Sequence, residues 1–312
     1  MRGVIRRLAG VAASIILVLW GAATLAFLAF RLIPGDPVSV MLGPQAQVSE
    51  AVKAGIRAEL GLDRPPLEQY LSYLSGLVQG DLGMSYQLRL PVAEVIGRQL
   101  GATVQLTAAA VLIAVVLALA VALLARGRVA APVAATLELI VLSSPVFWIG
   151  LLLLAVFAFG LGWLPVAGSR SPLTIVLPAV TLALPVAALL GQVLRDGIEA
   201  AERQPFLLTA RARGAGPVRL TLRHSLRHGA SGAVTLAAYF VGSLLGGAVL
   251  VETVFARPGI GRVTLTAITD RDLPVITGVI LLSALIFVVV NTIVELVDPL
   301  IDPRLRRARR RG

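Results

Sequence analysis

Two histidines in this sequence have a spacing that metal sites use. His224 and His228 are separated by four residues, so on a helix both imidazoles would lie on one face. No carboxylate or cysteine accompanies the pair, and Arg219, Arg223 and Arg227 around it would repel a cation. The pattern therefore favours exposed surface histidines over a metal site, and no metal or cofactor is expected on this chain.

Three carboxylates lie within or at the ends of strongly apolar stretches, where a charge is costly. Glu138 and Glu295 lie near ends that the charge pattern below assigns to the inner side, which favours an interfacial position. No Lys, Arg or His stands beside these carboxylates in the sequence, so they do not form a proton relay. Glu252 ends its stretch on the outer side. The predicted gate or pathway residues are Glu252, Phe255, Gly246 and Gly247.

Nucleotide and thiol chemistry are excluded by residue type. A phosphate-binding loop of the GxxxxGK[ST] kind needs Gly directly before Lys, but the single lysine, Lys53, follows Val52. The chain has no cysteine, and no Ser/His/Asp arrangement is credible, because both histidines lie in one inner loop. We expect a protein that is not an enzyme, and any ATP and Mg²⁺ that drive it would be bound by partner subunits.

The composition is that of a membrane protein. Of 312 residues 57% are apolar and 14% are charged, and the mean hydropathy is +0.88. A bilayer-crossing helix needs about 20 apolar residues. Six stretches qualify, namely 8–30, 102–125, 137–159, 173–194, 231–251 and 275–294. The third contains Pro145. The fourth contains Pro178 and Pro185, which predict that it is kinked. Gly242 and Gly246 predict close helix packing in the fifth.

The loops between these stretches alternate in charge, which sets the direction of insertion. Most of the arginines lie in one set of loops, 1–7, 126–134, 195–230 and 298–312. The other set is close to neutral and comprises 31–99, 161–172 and 256–274. Because positive loops stay cytoplasmic, both termini are predicted inside and 31–99 outside. The basic tail favours contact with anionic lipid headgroups, with a specific lipid site as the alternative, and no nucleic-acid partner is expected.

The outer segment 31–99 has the periodicity of two amphipathic helices. Apolar residues recur every four positions from Val48 to Leu60, with Ser49 as the N-cap and Gly61 as the stop. A second helix begins at the Pro65-Pro66 pair and ends in the turn at 80–83. Such a segment either meets a partner or substrate or packs on the outer ends of the spans, and periodicity does not choose between the two.

The inner loop 195–230 is too long for a plain connection between two spans. Its first part, 204–213, predicts a short helix that ends at 214–216, and Pro217 begins a second helix that runs to Gly229. Apolar residues would face the membrane and arginines would face outward. A rigid loop of this kind suits docking of a separate motor protein, while an amphipathic helix on anionic lipid is the alternative.

At these residues the sequence resembles the permeases of ABC importers in the dipeptide/oligopeptide/nickel group. Residues 209–214 look like that group's form of the importer signature loop. Ala210 and Gly214 match the broader signature, whereas Leu208 and Thr209 stand in place of its first Glu and Ala. Residues 224–227 are similar to the peptide-permease variant. Other motifs along the chain are also similar to those of the family and occur in the same order. They lie at 31–37, 41–43, 60–65, 80–85, 144–148, 246–247, 252–255, 258–261 and 302–304. They indicate the first of the two permease types.

The resemblance implies an all-α integral membrane protein of six transmembrane helices with the type I ABC-importer permease fold. It implies as partners a second homologous permease, two ATPase subunits, a periplasmic or lipid-anchored substrate-binding protein and the lipid bilayer, in the bacterial inner membrane. The implied ATPase-docking loop comprises Leu207, Leu208, Thr209, Ala210, Arg211, Ala212, Arg213, Gly214, Ala215 and Gly216. The implied divisions are 1–97, with the first span and outer segment, 98–299, the five-helix core with its coupling loop 196–230, and the tail 300–312.

The resemblance implies binding-protein-dependent import, with di- and oligopeptides as the expected substrates. Nickel chelates, glutathione and oligosaccharides are the alternatives within the family. A carrier or channel that works without ATP is the alternative outside it, and that class should show charged pairs at the membrane midplane and inverted repeats.

Overall fold

The computed structural model describes residues 2–32, 38–39, 49–59, 61–85, 87–168, 171–214 and 216–301, and its described part is predominantly helical. The helices are α1 (Arg2–Leu32), α2 (Glu50–Glu59), α3 (Pro66–Val78), α4 (Val92–Leu124), α5 (Ala130–Ser143), α6 (Val146–Leu153), α7 (Val176–Glu202), α8 (Pro205–Ala212), α9 (Pro217–Leu220), α10 (Leu226–Val254), α11 (Ile260–Thr269) and α12 (Leu273–Ile301). Strands β1 (Met84–Ser85) and β2 (Leu90–Pro91) form a short antiparallel hairpin.

Two compact units make up the chain. One comprises Met1–Ala102 with Pro258–Val289, and the other comprises Thr103–Arg257 with Val290–Gly312. The core of the first unit joins the start of α4 to α11 and α12 through residues such as Val92, Ile96 and Val275. The core of the second is built from α4, α6, α7 and α10, with α7 supplying the largest share of its buried residues.

Four of the described helices are long and apolar enough to cross a membrane. They are Gly10–Leu32, Val92–Leu124, Pro172–Glu202 and Leu273–Ile293, which contain or largely cover the first, second, fourth and sixth predicted spans. A bent pair, Ala130–Ser143 with Val146–Gly160, brings the number to five if it forms one span. The fifth predicted stretch, 231–251, lies inside the 29-residue helix α10 but is not among these spans. The predicted number of six is therefore not confirmed.

The third predicted stretch is not one kinked helix. It consists of two helices, and the chain bends by 109° between them. The first is α5, and the second is α6 with the π-helical turn Leu154–Gly160. Proline restricts the preceding residue to extended backbone and cannot donate a helical hydrogen bond. Ser144 is accordingly extended, with φ −92° and ψ 137°, and Pro145 begins the second half. By contrast, α7 stays helical through Pro178 and Pro185.

In the first unit both predicted outer helices form. Ser49 Oγ accepts a hydrogen bond of 3.4 Å from the Val52 amide at the start of α2, and Pro66 begins α3. The hairpin that follows was not predicted. It is fixed to the turn between α11 and α12, because the buried Ser85 hydroxyl donates a short hydrogen bond to the buried Asp272 carboxylate. The start of α4 packs closely beside Gly278 of α12, where a Cβ would lie 2.5 Å from Val92.

In the second unit α7 and α10 pack with their backbones in contact. A Cβ at Gly197 would lie 2.6 Å from the carbonyl oxygen of Gly229, and one at Gly229 would lie 2.6 Å from the carbonyl carbon of Gly197. The prediction that a helix ends at Gly229 is therefore wrong, since this glycine allows a close helix crossing inside α10. Among the described residues, no atom lies within 4 Å of a Cβ placed at Gly246, so the close packing predicted there is not found within this part of the chain. The side chains of 241–243 lie outside the described residues.

Candidate functional site

The loop between α7 and α10 consists of two short helices joined at a glycine turn. Helix α8 forms as predicted, and Gly214 follows it with φ +80°, a backbone conformation that favours glycine. Helix α9 then continues through a π-helical turn, Thr221–Ser225, directly into α10. The second half of the loop is thus an extension of α10 rather than a separate surface helix. Ala215 lies outside the described residues.

Each of the two short helices of this loop contains a buried leucine. Leu207 in α8 and Leu220 in α9 are 2% and 6% exposed, so each short helix has an apolar anchor. The side that remains exposed is made of small and basic residues, namely Thr209, Ala212, Arg213, Gly214, Gly216 and Arg219, with Ala210 half-buried. The side chains of Phe206, Leu208, Arg211, His224 and His228 are not described. Of the leucines predicted to face the membrane, Leu220 is buried in the protein, which departs from the prediction, whereas Leu222 is 50% exposed.

One guanidinium joins both ends of the loop. Arg126 Nη1, just after α4, donates to Glu202 Oε1 at 3.2 Å and to Thr221 Oγ1 at 3.0 Å. Glu202 is the last residue of α7, and Thr221 begins the turn before α10. Arg126 therefore fixes the two points between which α8 and α9 are held. An exposed ion pair adds little stability, so its contribution is chiefly to geometry.

Glu138 has a protein partner that the sequence did not indicate. It is buried in α5 and accepts two hydrogen bonds from Arg195 of α7, one of 2.6 Å to Oε1 and a shorter one to Oε2. A planar guanidinium makes this double contact with well-defined geometry. Gly191 makes room for it, because a Cβ there would lie 3.0 Å from Glu138 Oε1. The side chain of Glu295 lies outside the described residues.

Glu252 lies in a buried polar cluster at the end of α10. The carboxylate is fully buried and accepts a 2.6 Å hydrogen bond from the Thr103 hydroxyl of α4. Arg257 is 5% exposed, and its amide donates to the Glu252 carbonyl oxygen at 2.8 Å. Burial lowers the pKa of the Arg257 guanidinium, and the charge of Glu252 opposes that shift. An opposite charge compensates each ion for its lost hydration.

The other three predicted gate or pathway residues lie near this cluster in the sequence but have different surroundings. Phe255 is buried, and its ring lies over Gly150 of α6, where a Cβ would be 3.2 Å from the ring carbon Cε2. A Cβ at Gly247 would touch Leu182 of α7 at 3.4 Å. Gly246 is exposed with open space beside it. The structure thus brings Phe255 and Gly247 against α6 and α7 but leaves Gly246 free.

Each unit also contains a cavity. In the first unit a cavity of about 360 Å³ lies between the hairpin, α4 and α11, with Arg98, Arg262 and Gln87 among its polar lining residues. In the second, a cavity of about 430 Å³ between α4, α5 and α7 is lined by apolar residues and Glu138. Within the described part of the chain no group of three metal-ligating side chains comes together.

Sequence reasoning missed the partners in these contacts. Arg195 is 57 residues from Glu138, and Thr103 is 149 residues from Glu252, so sequence proximity gave no signal. A usable signal did exist for the first pair. Arg195 directly follows the apolar stretch 173–194, so if it is buried it needs an acidic partner. Glu138 is one of the few carboxylates within or at the ends of the apolar stretches.

Comparison with protein families gives two matches that together cover nearly the whole chain. Residues 110–307 match the binding-protein-dependent transport system inner membrane component, and residues 1–107 match the N-terminal domain of binding-protein-dependent transport system membrane components. The boundary between the two matches falls within α4, near Thr103 and Thr107.

Curated relatives match the chain over almost their full length. The glutathione transport system permease protein GsiC of Escherichia coli O6:H1 is 37% identical over 308 residues, which are 97% of this chain and 98% of the relative. The protein of the same name from Salmonella typhi is 35% identical over 306 residues, with the same coverage.

Solved structures share the fold at low sequence identity. A chain of the MetNI methionine ABC transporter, in inward-facing conformations, matches with a TM-score of 0.57 and 18% identity, covering 70% of this chain and 100% of that one. A chain of an amino acid ABC transporter with histidines matches with a TM-score of 0.52 and 17% identity, covering 66% and 94%.

Proposed function

The chain belongs to the binding-protein-dependent inner membrane components of ABC importers, in the dipeptide/oligopeptide/nickel group, and we propose that it forms an import pathway for small peptides. It is a multi-pass inner-membrane permease, and its family is one of transport subunits rather than ATPases. Beyond this family membership, we propose a substrate class, a loop that docks the ATPase, an orientation of the chain in the membrane and a gate in the pathway.

The observation that carries the substrate proposal is the likeness to glutathione permeases along 97% of the chain. Glutathione is a tripeptide, so the relatives' substrate lies within the peptide class that the sequence motifs favour. The membrane-embedded part of this chain is mostly aliphatic, which suits a pathway that accepts a class of compounds rather than one compound. Selection among peptides then falls to the binding protein that delivers them.

We assign docking of the ATPase to residues 207–216. Two features of the loop support this. It is stiff, because Leu207 and Leu220 anchor its short helices and Arg126 joins its two ends. Its exposed side near Gly214 carries small residues that allow another protein's backbone to come close. Movement of a docked subunit would pass directly into α7 and α10, between which the loop is held.

The proposed orientation follows from the charge of the loops, with both termini and the docking loop in the cytoplasm. Two ATPases would bind this loop and its counterpart on a second, homologous permease. A periplasmic or lipid-anchored binding protein would deliver substrate to the outer face. Closure of the ATPases on ATP would move the loops and switch access to the pathway, and this chain would hydrolyse no ATP itself.

We place the outer gate at Glu252 and Phe255, next to a pathway wall at Gly246 and Gly247. Support comes from the packing of the Phe255 ring over Gly150, where α6, α7 and α10 meet, and from the open space beside Gly246. The hydrogen bond from Thr103 to Glu252 would hold the end of α10 in place while the ring moves.

The substrate proposal is tested on the cognate binding protein. Its retained ligands are identified by mass spectrometry, and ATP-dependent uptake of labelled glutathione, a dipeptide and a nickel chelate is then measured in proteoliposomes containing the whole importer. Small peptides, glutathione included, should be both retained and transported. Retention of only a nickel chelate or an oligosaccharide, with no uptake of glutathione or the dipeptide, would overturn the peptide proposal and leave the family membership intact.

A further inference from the structure

Helix α3 has three kinds of surface, which its residue spacing separates into sectors. Successive residues on a helix are about 100° apart. One sector, with Tyr70, Tyr73 and Leu77, is partly buried. A second is exposed and polar and contains Glu68, Ser72 and Ser75, followed by the C-cap residue Gln79. The third, the apolar stripe, consists of Leu67, Leu71 and Val78, which are 67%, 56% and 89% exposed. The stripe lies between the other two, next to the buried sector.

The buried sector fixes α3 beside the C-terminal third of α1. The Tyr70 and Thr24 hydroxyls are 2.7 Å apart, and Arg31 Nη2 donates to Gln69 Oε1 at 3.1 Å. The Phe27 ring packs on Tyr70 and Tyr73, with ring centroids 5.2 and 5.8 Å apart. Burial raises the pKa of Tyr73 to about 12, and Tyr70 adds to the shift, so the phenol stays neutral.

These contacts set the depth of α3 relative to a bilayer. Thr24 and Arg31 are seven residues apart, or about 10 Å along the helix, and the apolar span of α1 ends at Leu32. The hydrocarbon core of a bilayer is about 30 Å thick and is bordered by headgroup layers. Because this stretch is the last part of the span, it lies at the boundary between acyl chains and headgroups. Tyrosines are typical of that boundary. The apolar stripe therefore lies at a depth where lipid is present.

We propose that α3 is an interfacial helix whose apolar stripe contacts the acyl chains of the leaflet at the C-terminal end of α1. A helix with one face on protein, one toward lipid and one toward water has the three sectors found here. Glu68 is the one charged residue of α3 and is acidic, so the contact is apolar and needs no anionic lipid. That this is the outer leaflet rests on the proposed orientation, whereas the lipid contact itself does not.

The chain has no cysteine, so single cysteines can be introduced for spin labelling without other changes. Labels at positions 71 and 78 test the stripe, and labels at 72 and 79, one residue on, are the matched controls. The assembled importer in phosphatidylcholine nanodiscs is exposed to oxygen, which partitions into lipid, and to a water-soluble nickel chelate. Oxygen should collide with the spin labels at 71 and 78 more often than the chelate does. At 72 and 79 the chelate should collide with the labels more often than oxygen does.

Two outcomes would overturn the proposal. Equal access of the chelate to positions 71 and 72 would show that the stripe faces water. Protection of 71 and 78 from both reagents, with immobile labels, would show that another protein covers it. Modification of a cysteine at 72 by an impermeant thiol reagent in intact cells tests the leaflet separately. None of these readouts depends on the substrate, so their failure is distinct from failure of the peptide proposal.

Discussion

The backbones of Gly197 in α7 and Gly229 in α10 touch, with no room for a side chain on either. The contact lies on the loop side of both helices, five residues before the end of α7 and three residues after the start of α10. Two helices that meet through their backbones move together, because no flexible side chain separates them. The proposed docking loop therefore lies between two helices that are in direct backbone contact.

Replacement of either glycine by alanine should separate this pair. The new methyl group would lie 2.6 Å from backbone atoms, which cannot rotate away, so we expect a loss of about 1–3 kcal/mol or more. Gly232→Ala is the matched control in α10, since its Cβ would lie 3.6 Å from Val193, an ordinary contact. Thermal denaturation of the purified importer should show a lower midpoint for Gly197→Ala and Gly229→Ala only. Equal midpoints for all three variants would contradict the backbone contact.

The sequence could predict helices but not how they meet. Apolar length located four long spans, and capping residues located α2, α3 and α8 within a residue or two, because these signals are local. Glycine is ambiguous, since it ends helices and also permits close crossings. Gly229 was therefore misread as an end, and the close packing predicted at Gly246 has no counterpart within the described part of this chain. The partners of Glu138 and Glu252 depend on tertiary packing, which no local pattern contains.

The buried pair of Glu138 and Arg195 should show strong coupling. Removal of one partner leaves an uncompensated buried charge, which costs about 3–5 kcal/mol, whereas removal of both leaves none. We expect Glu138→Gln and Arg195→Met each to lower the thermal midpoint sharply, and the double variant to recover part of the loss. The exposed pair Glu199 and Arg203, 3.8 Å apart on the same helix, is the control and should show almost no coupling. Additive losses at 138 and 195 would rule out the paired arrangement.

Loss of the hydrogen bond from Thr103 to Glu252 should lower stability and uptake more than loss of the hydrogen bond made by nearby Thr253. Thr103→Val leaves a buried carboxylate oxygen without this donor, at a cost of about 1–3 kcal/mol, and Thr103→Ser should restore it. Thr253→Val is the control, because that exposed hydroxyl donates only to the carbonyl of Val249 in its own helix. The measurements are the thermal midpoint and uptake of labelled peptide. If Thr103→Val behaves like Thr253→Val in both, the bond does not hold the end of α10.

A charged side chain at Gly214 should abolish transport while the protein stays in the membrane. Gly214→Glu adds a bulky anion to the exposed turn and forces a non-glycine residue to φ +80°. Gly80→Glu is the matched control, with φ +82°, similarly open surroundings and a predicted location on the other side of the membrane. Both variants carry similar backbone strain, but only Gly214→Glu should lose the ATPases on purification. Normal uptake by Gly214→Glu would show that the turn is not a docking point.

The central claim is that a separate ATPase binds residues 207–216, and photo-crosslinking in intact cells tests it most directly. A benzophenone amino acid is placed at Ala212 or Arg213, both exposed, and at Asp63, an exposed residue of the outer segment, as the control. Labels at 212 and 213 should yield an adduct with the mass of this chain plus one ATPase subunit, and the label at 63 should yield none. Absence of that adduct at 212 and 213, with every subunit present and uptake active, would contradict the account.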